Sequence, residues 1–332
     1  MSQYITMTLL LNIILELLLI FLVVKLDHDR HRYTMALGDS SRWGLFLGRD
    51  RMVDVLFLVL YVAWMGYDLF KKIGSLSIGE RLFAEGFFPI PIGDQLPLYG
   101  LFALYLSLGV FFVCPTFRSY IMSKLCLNPQ RYIHRIAVWW MFSCFINLIY
   151  TKFFIPVTDY GDRMEDIPFL LLTKCQELLL AVLAVGGGST RNGKETWIRL
   201  GMNRKPTGMG VLLSFSLKIT LDFSLSIISQ WVGTSGGGYI HPTLSWLNAI
   251  VITIMPAVGE ELLFRGVLQP RVGIGATSVL FAAAHSSHDL FGIIGVFLDS
   301  LLYGWIARRY SIWLSIGLHM YNNAAASMND IG

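Results

Sequence analysis

The sequence predicts an all-α, polytopic transmembrane helical bundle of about ten spans, and three observations carry that prediction. Hydrophobic residues make up 55% of the 332-residue chain and charged residues only 14%, far from the balance of a soluble domain. Apolar runs long enough to cross a bilayer recur from end to end, and a bilayer admits only helices or closed barrels. Basic residues also crowd alternate connections between those runs. Helices are expected near 4–26, 52–70, 97–114, 136–155, 167–186, 209–232, 245–269, 273–288, 289–306 and 311–328.

Taken in order, the first run has Lys25 after it and no basic residue before it. It lacks the basic leader and small-residue cleavage site of a signal peptide, so it reads as a retained span. Arg30, Arg32, Arg42, Arg49 and Arg51 fill the first connection, whereas acids dilute Lys71, Lys72 and Arg81 in the second. Arg118, Lys124, Arg131 and Arg135 mark the third, against Lys152 and Arg163 in the fourth. Arg191, Lys194, Arg199, Arg204 and Lys205 mark the fifth, and Gly233–Leu244 has no basic residue. Arg271 and the pair Arg308-Arg309 fall on the side of the odd connections. The positive-inside rule then puts the odd connections in the cytoplasm and the N-terminus outside.

The fifth connection, glycine-rich from Gly186 to Gly188, is a natural boundary around Trp197-Ile-Arg-Leu-Gly, a segment suited to the membrane surface. It divides residues 1–186, a set of N-terminal membrane helices, from residues 187–332. Cys114, Cys126, Cys144 and Cys175 have neither CxxC nor Cys/His ligand spacing and read as free thiols. The chain has no internal repeat and no Lys/Arg cluster fit to grip nucleic acid.

The residues with most to say lie beyond that boundary. Glu260-Glu261-Leu-Leu-Phe-Arg265 is set in an apolar stretch of spanning length, where ionisable side chains are costly enough to mark function by default. His285 follows in Phe281-Ala-Ala-Ala-His285, and His319 and Asn323 share the last span. At about 1.5 Å of rise per residue, Glu260 lies about 15 Å from the cytoplasmic end near Pro270. The same arithmetic puts His285 and Asn323 at about 18 Å and His319 at about 12 Å. Four polar residues from three spans thus fall in one layer.

Glu261 and Arg265 are i, i+4 with the acid first, the favourable order for a helical ion pair. Glu260 points about 100° away around the helix and is left for another partner, which suits a general base. His319 and Asn323 share a helical face, and an imidazole beside a carboxamide can donate to an oxyanion. Lys218 and Asp222, again i, i+4, are expected to neutralise each other. Lys174, Gln176 and Glu177 interrupt the fifth span and either line a cavity or pack against the core. Asp299 falls near the motif layer as a partner for Arg265 or a histidine. His288 and Asp289 follow His285 and either orient it or cap the next helix.

Glu-Glu-x-x-x-Arg at 260–265, Phe-x-x-x-His at 281–285 and His-x-x-x-Asn at 319–323 occur in order on successive spans. This pattern resembles the type II CAAX prenyl endopeptidases and the wider family of CAAX-protease and bacteriocin-processing membrane proteins, over roughly Trp197 to Ala326. The resemblance implies a C-terminal intramembrane endopeptidase core at 187–332. It implies that Glu260 and His285 activate water, that His319 and Asn323 form the oxyanion hole, and that Glu261 and Arg265 support them. It also implies a membrane-anchored or prenylated substrate, a bilayer as the surroundings and a prokaryotic plasma membrane as the location. No cofactor is expected on the leading reading. A zinc-dependent version of the same protease stays open, because two histidines and a glutamate suffice as ligands, although no HExxH is present. A non-catalytic immunity, scaffold or transport protein is the alternative from another class.

Overall fold

The computed structural model describes residues 13–14, 17–28, 43–74, 92–154, 167–233, 246–285 and 289–329, and these are helices and their connections. The expected helices that fall in this range are present. As membrane crossings the count is lower. Four helices among the described residues are long and apolar enough, five when one bent pair is taken as a single span. The catalytic-motif helices miss that standard for visible reasons. Two of them are only 16 residues long, and the last carries His319, Asn322 and Asn323 in its middle.

The chain forms two compact units. One, residues 30–156, contains α1 (Trp43–Gly74), α2 (Ile92–Val113), α3 (Pro115–Lys124) and α4 (Tyr132–Phe154). The residue before a proline is pushed out of helical geometry. Accordingly Cys114 is extended, with φ −102° and ψ 104°, and the chain bends by 109° between Tyr99–Val113 and α3. The core of this unit is aromatic: Tyr61, Phe112 and Trp139 pack at centroid distances of 5.4 to 6.3 Å. Asp54 receives two buried arginines, Arg118 at 3.1 Å and Arg135.

The other unit takes residues 1–29 and 157–332 and holds every motif residue. Its helices are α5 (Ile167–Ala184), α6 (Gly193–Arg199), α7 (Gly208–Val232), α8 (Trp246–Glu261), α9 (Gln269–Ala284), α10 (Leu290–Arg309) and α11 (Ile312–Asn329). The short α6 is started by a capping box between Asn192 and Glu195, each side chain bonded to the other's backbone N–H at 2.9 Å. Its Trp197 is half exposed and lies 5.7 Å from Trp313. Thr207 caps the start of α7, and Gly233 closes it in the left-handed region at φ 70°.

Between α8 and α9 the helix widens into a π-type turn, Leu262–Leu268, immediately after the paired glutamates. Such turns often accompany functional sites. Gly273, at φ 83° and ψ 169°, then breaks α9; that left-handed region is one a side chain rarely adopts. The break is where the sequence places the start of the eighth helix. Helix α8 packs against α5 and α11, α9 against α10, and α10 against α11 and α7.

Candidate active site

Two motif side chains leave α8 side by side and face different neighbours. Glu261 is fully buried. Its Oε2 accepts from Arg265 Nε at 3.0 Å and from the Ser315 hydroxyl, while its Oε1 lies 3.2 Å from His319 Nδ1. Arg265 continues to Ser300 Oγ at 3.0 Å and lies over the Phe281 ring, 5.1 Å from its centroid. Both oxygens of Glu261 are therefore committed to donors on two elements, Arg265 on the turn after α8 and Ser315 and His319 on α11.

Glu260 is arranged differently. Its Oε1 accepts from Lys174 Nζ on α5 at 2.6 Å. Its Oε2 is buried and has no hydrogen bond among the described residues, yet His285 Nε2 stands 3.5 Å away and His319 Nε2 3.9 Å away. The three helices named from the sequence thus bring Glu260, His285 and His319 together. Asn323 is one turn further along α11, and its Nδ2 reaches the Ile252 carbonyl at 3.4 Å instead of the other three.

The ring contacts restrict what each histidine can do. His285 Nδ1 lies 2.8 Å from the Phe281 carbonyl oxygen; a carbonyl only accepts, so Nδ1 carries the proton. In a neutral ring Nε2 is then an acceptor and lies towards Glu260 Oε2. Two acceptors 3.5 Å apart call for a proton shared between them or a water molecule that donates to both from one side. His319 Nδ1 in turn donates to the carboxylate of Glu261, so its Nε2 can donate only when the ring is doubly protonated. Aromatic neighbours hold both rings. Phe281 stacks on His285 at 4.5 Å, and Tyr303 lies parallel to His319 at 5.7 Å. The His285 side chain is 25% exposed against 8% for Glu260, which makes the histidine the open wall of the site.

Several sequence expectations are corrected or refined here. Asp299 partners neither Arg265 nor a histidine. Lys218 takes it, along with Asp222 and Asn322, and the next residue, Ser300, receives Arg265. Asp289 caps α10, its Oδ1 accepting from Gly292 N at 2.6 Å; His288 lies outside the described residues. Lys174 belongs to the site itself through Glu260, and Glu177 pairs with that lysine from its own helix, its Oε1 2.9 Å from Lys174 Nζ. Ser300 and Ser315 were not foreseen. The compact unit that carries the motifs also takes in α5, upstream of residue 187.

Among the described residues no three His, Cys, Asp or Glu side chains stand in metal-ligand geometry. Lys174 Nζ bonds the other oxygen of Glu260, Oε1, so a positive charge lies beside the carboxylate that faces the two imidazoles.

Comparison with known proteins points to the C-terminal region. A stretch of this chain is 42% identical over 69 residues, 19% of this chain and 36% of the relative, to a protein of Bacillus subtilis (strain 168) described as "Uncharacterized protein YpbD". The match therefore spans about a third of that relative's length. No solved structure matches. Residues 242–325 match the family model of the type II CAAX prenyl endopeptidase Rce1-like proteins. The Glu-Glu-x-x-x-Arg, Phe-x-x-x-His and His-x-x-x-Asn motifs all fall inside that match, the part of the chain that is similar to the type II CAAX prenyl endopeptidase Rce1-like proteins.

Proposed function

We propose that this integral membrane protein is an intramembrane endopeptidase that hydrolyses a peptide bond of a membrane-anchored substrate without a metal. One observation carries the reading: a buried carboxylate oxygen, Glu260 Oε2, has no hydrogen bond among the described residues and is faced by two imidazole nitrogens at 3.5 and 3.9 Å. A group held in that way has an unmet demand for a hydrogen, and a water molecule supplies it.

In this reading a water molecule bridges Glu260 Oε2 and His285 Nε2 from one side, within hydrogen-bond reach of both. As its oxygen attacks the scissile carbonyl carbon, Glu260 takes its proton. The carbonyl oxygen becomes an oxyanion, received by His319 Nε2–H in the doubly protonated ring and by Asn323 Nδ2, which has a second N–H besides the one on Ile252. The proton then passes to the leaving nitrogen, the carbon–nitrogen bond breaks, and the new carboxyl and amine depart. Glu261 and Arg265 act on this sequence only through His319, by holding its Nδ1.

The family match supports, as the proposed substrate, a peptide tethered to the bilayer, with a prenyl chain as the anchor most worth testing. A prokaryotic plasma membrane and an outside N-terminus complete the proposal, the latter resting on the alternation of Lys and Arg. The test is cleavage of a membrane-anchored reporter by detergent-purified protein, with prenylated and unprenylated versions side by side. Glu260→Gln and His285→Ala should each lose on the order of 10²–10⁴-fold in rate, the usual contribution of general acid–base groups. Full cleavage by both variants would overturn the assignment. Activity lost to a chelator and restored by zinc would overturn its metal-free form.

A further inference from the structure

We infer that Lys174, on α5 and outside the region that matches the family model, is a positioning residue for the Glu260 carboxylate: it holds Oε1 so that Oε2 alone turns to the two imidazoles. The inference rests on Glu260 being the base proposed above.

Three observations carry it. The first is the bond itself, 2.6 Å from Nζ to Oε1, linking residues 86 positions apart. The second is where the lysine comes from. It lies mid-helix, with Leu170, Leu171 and Leu172 before it and Leu178, Leu179 and Leu180 after it. A lysine near a helix end extends its ammonium towards water. This one is only 16% exposed and is anchored from its own helix by Glu177 at 2.9 Å. The third is the backbone. Gly259 precedes Glu260, and a Cβ there would stand 3.1 Å from the Lys174 carbonyl oxygen and 3.4 Å from Glu177 Oε2. The chain is thus built for α5 to press on α8 at the residue beside the base.

The consequence is geometric. A carboxylate free to rotate presents either oxygen to a water molecule. One oxygen tied to an ammonium fixes the plane of the group and selects the other. Reacting groups are sensitive to displacements of about 1 Å, which can cost on the order of 10²-fold in rate.

The competing role for Lys174 is to neutralise Glu177, its i+3 neighbour, and nothing more. A double-mutant cycle separates the two. On the same reporter, kcat and KM are measured for Lys174→Met, Lys174→Arg, Glu177→Gln and Lys174→Met/Glu177→Gln, with melting temperatures in one detergent. The expected result is a kcat loss for Lys174→Met on the order of 10²-fold at little change in KM. Lys174→Arg should restore part of it, Glu177→Gln should stay within a few-fold of wild type, and the double variant should remain as slow as Lys174→Met. Wild-type kcat in Lys174→Met, or its return in the double variant, overturns the inference. Should Lys174→Met not fold, the charge-balanced double variant decides alone. Infrared difference spectra, wild type minus Glu260→Gln, isolate the Glu260 carboxylate bands without turnover. Those bands should move in the Lys174→Met background, and unmoved bands count against the contact. Moved bands in a protein that cleaves no reporter would keep the Lys174 contact and sink the endopeptidase reading instead.

Discussion

The unit that holds the motifs contains two buried ionic clusters, and they are finished to different degrees. Around Lys218, fully buried, three N–H bonds go to three acceptors: Asp222 at 2.5 Å, Asn322 at 2.8 Å and Asp299 at 3.1 Å. The cation's donors are all spent. Around Glu260 the arrangement stops one contact short, with Oε1 bound by Lys174 and Oε2 left facing two histidines. Both clusters join α11 to other helices, so both contribute to folding. In the first, the oxygen without a hydrogen bond, Asp299 Oδ1, still lies 2.9 Å from the Lys218 ammonium, whereas in the second Glu260 Oε2 faces two imidazoles at 3.5 and 3.9 Å. A closed network of charges ties helices together, whereas an open one has an atom left with which to act.

That contrast can be broken most severely at Lys218. Lys218→Met strands Asp222 and Asp299, and removing one partner of a buried pair typically costs about 3–5 kcal/mol. The expected result is a large fall in melting temperature, with the rate per folded molecule retained. A variant that melts like wild type but has lost its activity would move Lys218 from the closed class to the open one.

Arg265→Ala tests a residue that belongs to both classes, because its partner Glu261 also holds His319. The stranded Glu261 carboxylate sets the same upper scale, about 3–5 kcal/mol. Proton uptake by Glu261 lowers that cost and transfers part of the damage to His319. Stability and activity should therefore fall together, the former by less than in Lys218→Met. Thermal-shift and reporter assays on one preparation read both, and a loss confined to either quantity would contradict the shared role.

The smallest effect is expected at Asp289, whose carboxylate caps α10. Asp289→Ala should cost about 1 kcal/mol, as helix caps do, and leave kcat unchanged. A kcat loss without a stability loss would show that Asp289 orients His285 after all.

What could be read from the sequence divides along a physical line. Helix positions were legible because hydropathy runs and breakers such as Pro115 and Gly273 are local signals. The gathering of Glu260, His285 and His319 was legible because helical rise converts sequence number into depth. Depth says nothing about direction around the helix axis. Asp299 and Ser300 lie at nearly the same depth, about 100° apart around α10, and the structure gives the acid to Lys218 and the serine to Arg265. Ser315 was silent for a related reason, since a serine on an apolar helix has no sequence mark of its partner. Lys174 stood out as a charge in a span, but no spacing rule ties residue 174 to residue 260. The π-type turn at Leu262–Leu268 contains one glycine, Gly266, but a single glycine in a helical run does not announce a widened turn.

The groups in mutual contact at the site also have a charge count. Glu177, Glu260 and Glu261 are three acids, and Lys174 and Arg265 are two cations. With both imidazoles neutral the set carries one unbalanced negative charge, a costly thing to keep away from water. A single proton brings it level. Hydrolysis of an amide takes one proton from water and delivers one to the departing nitrogen, so a pocket that is balanced with one proton in hand ends each cycle as it began. On the endopeptidase reading proposed above, the proton that Glu260 takes from water is the one that the leaving nitrogen receives, and the pocket needs no net supply of protons.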